Sequence, residues 1–209
     1  MAKIATLTDA FTTLDLNLWG AEQSPTIVGG RLRCPATAAA FNDGPGYTGV
    51  RSSATWDLTS SEIVVQVATL PDAGNGSIET QLLLTTDEGL EDYSNRLTVV
   101  RAGGSVLTEI YVGGNSDYPG QTAAAATGWW RIQHDGENVI TGVSADGESW
   151  TTLATVDAGD LFPLDAVSVC LLCGYYSTEA DPGFTEFDNL NPQPVVHAPA
   201  GRMLRGVGR

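Results

Sequence analysis

Trp129-Trp130-Arg131-Ile132-Gln133-His134-Asp135-Gly136-Glu137-Asn138-Val139-Ile140-Thr141-Gly142-Val143-Ser144-Ala145-Asp146-Gly147 holds two alternating runs and two Asp-Gly steps. Trp130, Ile132 and His134 occupy every second position, as do Val139, Thr141 and Val143. A period of two places each trio on one face of a strand. Asp-Gly between such runs signals a hairpin, because glycine supplies the positive φ that a type I′ turn demands. The stretch reads as strands joined by hairpins.

The same period extends in both directions. Ile63, Val65 and Val67 share a face, then Ile78, Thr80, Leu82 and Leu84. Leu97 and Val99 follow, then Val106, Thr108, Ile110 and Val112. Val167, Val169, Leu171 and Cys173 give a further strand, and residues 184–190 the last. Helical signals are weak. Residues 123–126 are an alanine run too short for more than one turn, and residues 11–15 could form a short helical turn before Trp19. Residues 35–49, 72–77, 87–94, 113–128 and 175–183 read as loops. After Asn191 the composition turns to Pro192, Pro194 and Pro199, then to glycine and arginine. Residues 1–191 are expected to form one domain and 192–209 an extended tail.

Composition agrees with an all-β chain. In 209 residues there are 24 glycines, 10 prolines and only 17% charged residues, which favours many turns over helices. The length suits one large sandwich with a full core. The net charge of −15 argues against duplex nucleic acid and an anionic membrane surface as partners. Three cysteines exclude a disulfide scaffold. Cys170 and Cys173, three apart on a strand, point to opposite faces, so they read as core residues and not as a metal or redox pair. Residues 1–5 lack the long apolar run and cleavage site of a signal peptide, so none is expected. The expectation is synthesis in a bacterial cytoplasm.

Longer motifs then carry a resemblance. Asp9-Ala10-Phe11, Leu14-Asp15 and Leu18-Trp19 open the chain, Trp130-Arg131-Ile132 and Ser144-Ala145-Asp146-Gly147-Glu148-Ser149-Trp150 mark its middle, and Phe187-Asp188-Asn189-Leu190 closes it. In that order they resemble laminin-G-like and glucanase-like jelly rolls. The resemblance implies an all-β, two-sheet antiparallel β-sandwich of the concanavalin A-like jelly-roll class. Residues 5–11 and 47–59 also resemble minor tail proteins of actinobacterial phages. That second resemblance implies a virion component whose partners are other phage structural proteins and host cell-envelope polysaccharide, with a homo-oligomeric arrangement.

Glucanases of this fold carry paired carboxylates in a pattern like E-x-D-x-x-E. The near match here is Glu186-Phe187-Asp188-Asn189-Leu190-Asn191, which lacks the final glutamate. Glu186 is therefore expected to face solvent and Asp188 to fix a turn. His134 and His197 belong to no recognisable triad. No catalytic residue and no metal ligand set is assigned. The acidic stretch 87–92 is the best, though weak, place for calcium. Sugar sites combine aromatic surfaces with a few polar groups. Tyr93, Tyr118, Tyr175 and Tyr176, in or beside loops, and Trp129, opposite in parity to Trp130, are the carbohydrate-binding candidates. Trp56, Trp130 and Trp150 are assigned to the core. Arg202, Leu204, Arg205 and Arg209 in the tail are candidates for an assembly contact. The reading expected from all this is a non-enzymatic structural or adhesion subunit of a bacteriophage particle. A free carbohydrate-binding module is the alternative, and a glycoside hydrolase a third.

Overall fold

A computed structural model describes residues 1–22, 25–36, 47–71, 78–89, 92–122, 127–175 and 183–192. Within them the chain forms two seven-stranded antiparallel sheets, packed face to face. This is the expected concanavalin A-like sandwich. In chain order the strands are β1 (Trp19–Glu22), β2 (Thr26–Val28), β3 (Arg31–Pro35), β4 (Thr48–Ser52), β5 (Glu62–Thr69), β6 (Ile78–Thr85) and β7 (Asn95–Ala102). There follow β8 (Ser105–Val112), β9 (Asn115–Thr122), β10 (Gly128–His134), β11 (Asn138–Ser144), β12 (Trp150–Asp157), β13 (Ser168–Tyr175) and β14 (Phe184–Asp188). The first sheet runs β1-β4-β13-β6-β7-β8-β9, the second β12-β11-β10-β5-β14-β3-β2.

The alternation read from sequence is the inner lining of both sheets. Leu82, Leu84, Leu97, Val99, Val169 and Leu171 from the first face Ile63, Val65, Val67, Trp130, Ile132 and Phe187 from the second, all buried in one cluster. Burying such side chains stabilises by roughly 1.5–3 kcal/mol each, which sets the register. Two threonine pairs cross the core. Thr80 and Thr185 hydroxyls lie 2.6 Å apart, and Thr108 bonds Thr141, so each buried hydroxyl has a partner.

The opening motif closes one end of the core. Trp19 Nε1 donates to Asp9 Oδ2 at 2.8 Å, and Asp9 Oδ1 accepts the Phe11 amide at 2.6 Å. The backbone of Asp9 pairs with Leu190 of the closing motif. Asn191 accepts the Val64 amide and donates to the carbonyls of Ile4 and Leu7, joining both ends of the domain to β5.

Several expectations need correction. Residues 11–15 form a bend, and the helical turn lies earlier, a 3₁₀ turn at Ile4–Thr6. Strand β9 lies inside the stretch read as a loop. It pairs only with β8, carries exposed polar residues, and holds Pro119 at a bulge, so neither hydrophobicity nor period two betrays it. The Asp-Gly turns are longer than two residues. Asp135 Oδ1 accepts the Glu137 and Asn138 amides, and Asp146 Oδ1 those of Glu148 and Ser149. Only the glycine of each pair has positive φ, so neither turn is type I′. Cys170 and Cys173 do face opposite ways. Cys173 joins the main core, and Cys170 a small outer cluster with Tyr47, Leu83 and Leu172.

Candidate functional site

Alternation has a second half. With Val106, Thr108 and Ile110 of β8 buried inward, Leu107, Glu109 and Tyr111 stand on the outer face of the first sheet. Opposite them the β8–β9 register slips between Thr108 and Ile110, so two residues, Tyr118 and Pro119, oppose Glu109 alone. A bulge of this kind re-aims a side chain. Here it brings the Tyr118 hydroxyl to Glu109. Tyr111 Oη also reaches Glu109 Oε1, at 3.3 Å. The two phenols interact with each other as well.

Tyr93 completes the group. Its ring meets that of Tyr111 edge-on at 5.5 Å, and the Arg96 guanidinium lies 3.8 Å over it. Arg96 is itself anchored, since its Nε donates to the Asp92 carbonyl and lies 3.7 Å from Asp87 Oδ2. Tyr93 is 37% exposed and Tyr118 58%, so both rings offer surface to a ligand. Two tyrosines chosen from sequence thus meet at one site, linked by Tyr111 and Glu109, which the sequence reading missed.

Burial pushes the Glu109 carboxyl above its ordinary value, and the charge of Glu79 adds to the rise. The Tyr118 and Tyr111 hydroxyls and Arg96 work against it, but do not cancel it. Glu79, on the outer side of β6, accepts from Tyr47 Oη and from Gln81 Nε2, each at 2.7 Å. Along this face β6 presents Glu79, Gln81, Leu83 and Thr85, of which only Glu79 is a carboxylate. The second carboxylate of the face comes from β8.

The other candidates lie elsewhere. Trp129 is half-buried on the outer face of the second sheet, with its ring against Gly147. Trp130 is buried, as expected, but Trp150 lies on that same outer face under Arg131, not in the core, and Trp56 is only partly buried against the core. Tyr175 ends β13 opposite Ile78, while Tyr176 and the tail residues Arg202, Leu204, Arg205 and Arg209 lie outside the described residues. Glu186 is buried and not solvent-facing. It accepts from Arg33 at 2.7 Å and from Thr69 at 2.8 Å, with Arg31 at 3.5 Å. Asp188 does accept the next amide, that of Asn189, as a turn residue would. In the proposed calcium stretch, both oxygens of Asp87 accept the Asn95 amide. Among the described residues no group of three or more metal-ligating side chains comes together.

No protein-family model matches the chain, and no curated protein does. Solved structures do. A β-1,3-1,4-glucanase (lichenase) from a mouse hindgut metagenome superposes with a TM-score of 0.63 at 11% identity, over 88% of this chain and 95% of its own. The catalytic domain of an endo-1,3-β-glucanase (laminarinase) from Thermotoga petrophila RKU-1 gives 0.58 at 13%, over 88% and 93%. A Crh5 transglycosylase in complex with NAG gives 0.63 at 11%, over 90% and 83%. At these identities the likeness establishes the fold, a glucanase-type concanavalin A-like jelly roll. It overturns the expectation of a non-enzymatic phage particle subunit. These three structures are named as carbohydrate-active enzymes, and nothing in the likeness points to a tail or a virion. The physical reason for the error is that residues 5–11 and 47–59 are framework, a 3₁₀ turn, β4 and a bridge at Trp56, and framework carries no information about a partner.

Proposed function

We propose that this chain engages a carbohydrate on the outer face of its first sheet, at Tyr93, Arg96, Glu109, Tyr111 and Tyr118. One observation carries the reading: two exposed phenol rings flank a carboxyl that is partly withdrawn from water and hydrogen-bonded. Aromatic faces take the apolar side of a sugar ring, while the carboxyl takes its hydroxyls and buried Arg96 holds the Tyr93 ring in place. The glucanase-like fold supports a β-glucan as the first ligand to try. The test is calorimetric titration with β-1,3-glucan and β-1,3-1,4-glucan oligosaccharides. Tyr118→Ala is expected to weaken binding about tenfold. Equal affinity in Tyr118→Ala would remove the site from consideration.

A second reading, glycoside hydrolysis, rests on the carboxyls themselves. Two carboxyls in unlike environments are the usual equipment for it, and one with a raised pKa serves as the acid. Glu109 fits the acid, and Glu79 is the other carboxylate of the face. Release of reducing ends from the same oligosaccharides, abolished in Glu109→Gln with binding retained, would establish this reading. Binding with no release in the parent protein would end it.

A further inference from the structure

The outer face of the second sheet holds a different arrangement. Arg131 projects from β10, opposite in parity to buried Trp130 and Ile132. Its guanidinium lies 4.3 Å over the Trp150 ring of β12. Position 142, between them on β11, is glycine, which leaves the indole room to lie against the sheet. Beside this pair is a cleft of about 260 Å³, lined among others by Ala5, Glu62, Val64, Arg131, Trp150 and Pro192.

The arginine is poorly served where it stands. Its Nε is buried with no hydrogen-bond partner. Its one carboxylate neighbour among the described residues, Glu62, is 3.9 Å from Nη1, beyond hydrogen-bonding range. Burial lowers the pKa of the group, and Glu62 only partly restores it. A buried donor without an acceptor is costly, so the position gains from an acceptor brought from outside. Arg31 and Arg33, on the same face, already have Glu186 and Asp188. Arg131 is the arginine there whose demand is unmet.

We propose that this cleft binds the carboxylate of a sugar acid, a hexuronate. The guanidinium is a planar fork of donors held flat by the indole, which suits the two oxygens of a carboxylate. Ala5, Val64 and Pro192 give apolar surface for a ring, and Glu62, nearly half exposed, gives an acceptor for its hydroxyls. The cleft lies on the sheet opposite the tyrosine site, so it stands or falls independently of the glycan reading above.

The experiment titrates the full chain with sodium glucuronate, with glucose and with acetate, followed by tryptophan fluorescence and by calorimetry. Glucuronate is expected to saturate. Glucose, which has the ring without the carboxylate, and acetate, which has the carboxylate without the ring, are each expected to bind at least about tenfold more weakly. Arg131→Gln is expected to lose about tenfold or more in glucuronate affinity, and Arg131→Lys most of that, because an ammonium cannot form the fork. Glu62→Gln removes a competing negative charge and is expected to tighten binding. No saturation by glucuronate, equal binding of glucose, or undiminished binding in a folded Arg131→Gln protein would each overturn the proposal.

Discussion

The two outer faces of the sandwich treat the carboxylates they shelter from water in opposite ways. On the second sheet Glu186 lies between Arg31 and Arg33, with Thr69 as a further donor. Burial alone would raise its pKa, but these partners outweigh burial and hold it below the ordinary value. On the first sheet Glu109 meets phenols instead of a close cation, with a second carboxylate on the same face, and its pKa rises. A paired carboxylate stabilises the fold in its charged form, whereas a carboxyl like Glu109 is charged at a cost. Residues kept at a cost are more informative about function than residues that hold the fold together.

The contrast can be broken by exchanging the members of each pair. Glu186→Ala leaves Arg33 and Thr69 without this acceptor and Arg31 with Asp188 alone, and should lower unfolding free energy by about 2 kcal/mol, read from urea midpoints. The next effect has the opposite sign. Since the folded pKa of Glu109 is raised, the stability linked to its proton is present below the ordinary value of 4.5 and is lost as pH rises through the raised one. Glu109→Gln should therefore melt higher than the parent at pH 7 and show no such gain at pH 3, while losing any hydrolytic activity. A drop in melting temperature at pH 7 would mean that Glu109 is structural after all. Tyr118→Phe should change stability by less than about 0.5 kcal/mol. By removing one hydroxyl that favours the charged form, it should also move the Glu109 titration upward in a carboxyl-detected NMR experiment. The smallest effect lies away from both faces. Hydrogen bonds from Lys3 and Thr59 hold partly buried Asp57 down at about 2. Its contribution is present above the ordinary carboxylate value and lost as pH falls through about 2. Lys3→Ala should make acid unfolding less steep in that window.

Much of the fold was legible because the inner lining is what hydrophobic alternation reports. Ile63, Val65, Val67 and the other even-spaced trios fall where that rule puts them. The site was half legible for the same reason. Tyr93 and Tyr118 stood out as aromatics in apparent loops. Glu109 and Tyr111 did not, because they occupy the unread parity of β8, whose inward residues had already accounted for the strand. Reading both parities of each strand would have found them, and Glu79 with Gln81 on β6. The β9 bulge was out of reach: an edge strand with water on its polar residues and a proline at its slip has no periodic signature. The tail and Tyr176 fall outside the described residues.

The strand order carries a kinetic consequence. In the first sheet β13 sits between β4 and β6, and in the second β14 sits between β3 and β5. Both are inner strands, yet among the described strands they are the last two to be synthesised. A nascent chain that has reached residue 167 holds four unsatisfied inner edges, on β3, β4, β5 and β6, each a template for pairing with another chain. Neither sheet can close until β13 and β14 arrive and insert into the waiting gaps. Completion thus depends on contacts of high sequence separation, the slow kind. A ribosome stalled or a chain cleaved shortly before Ser168 would release two split sheets with matching open slots, and the expected fate of such fragments is mutual strand exchange and aggregation.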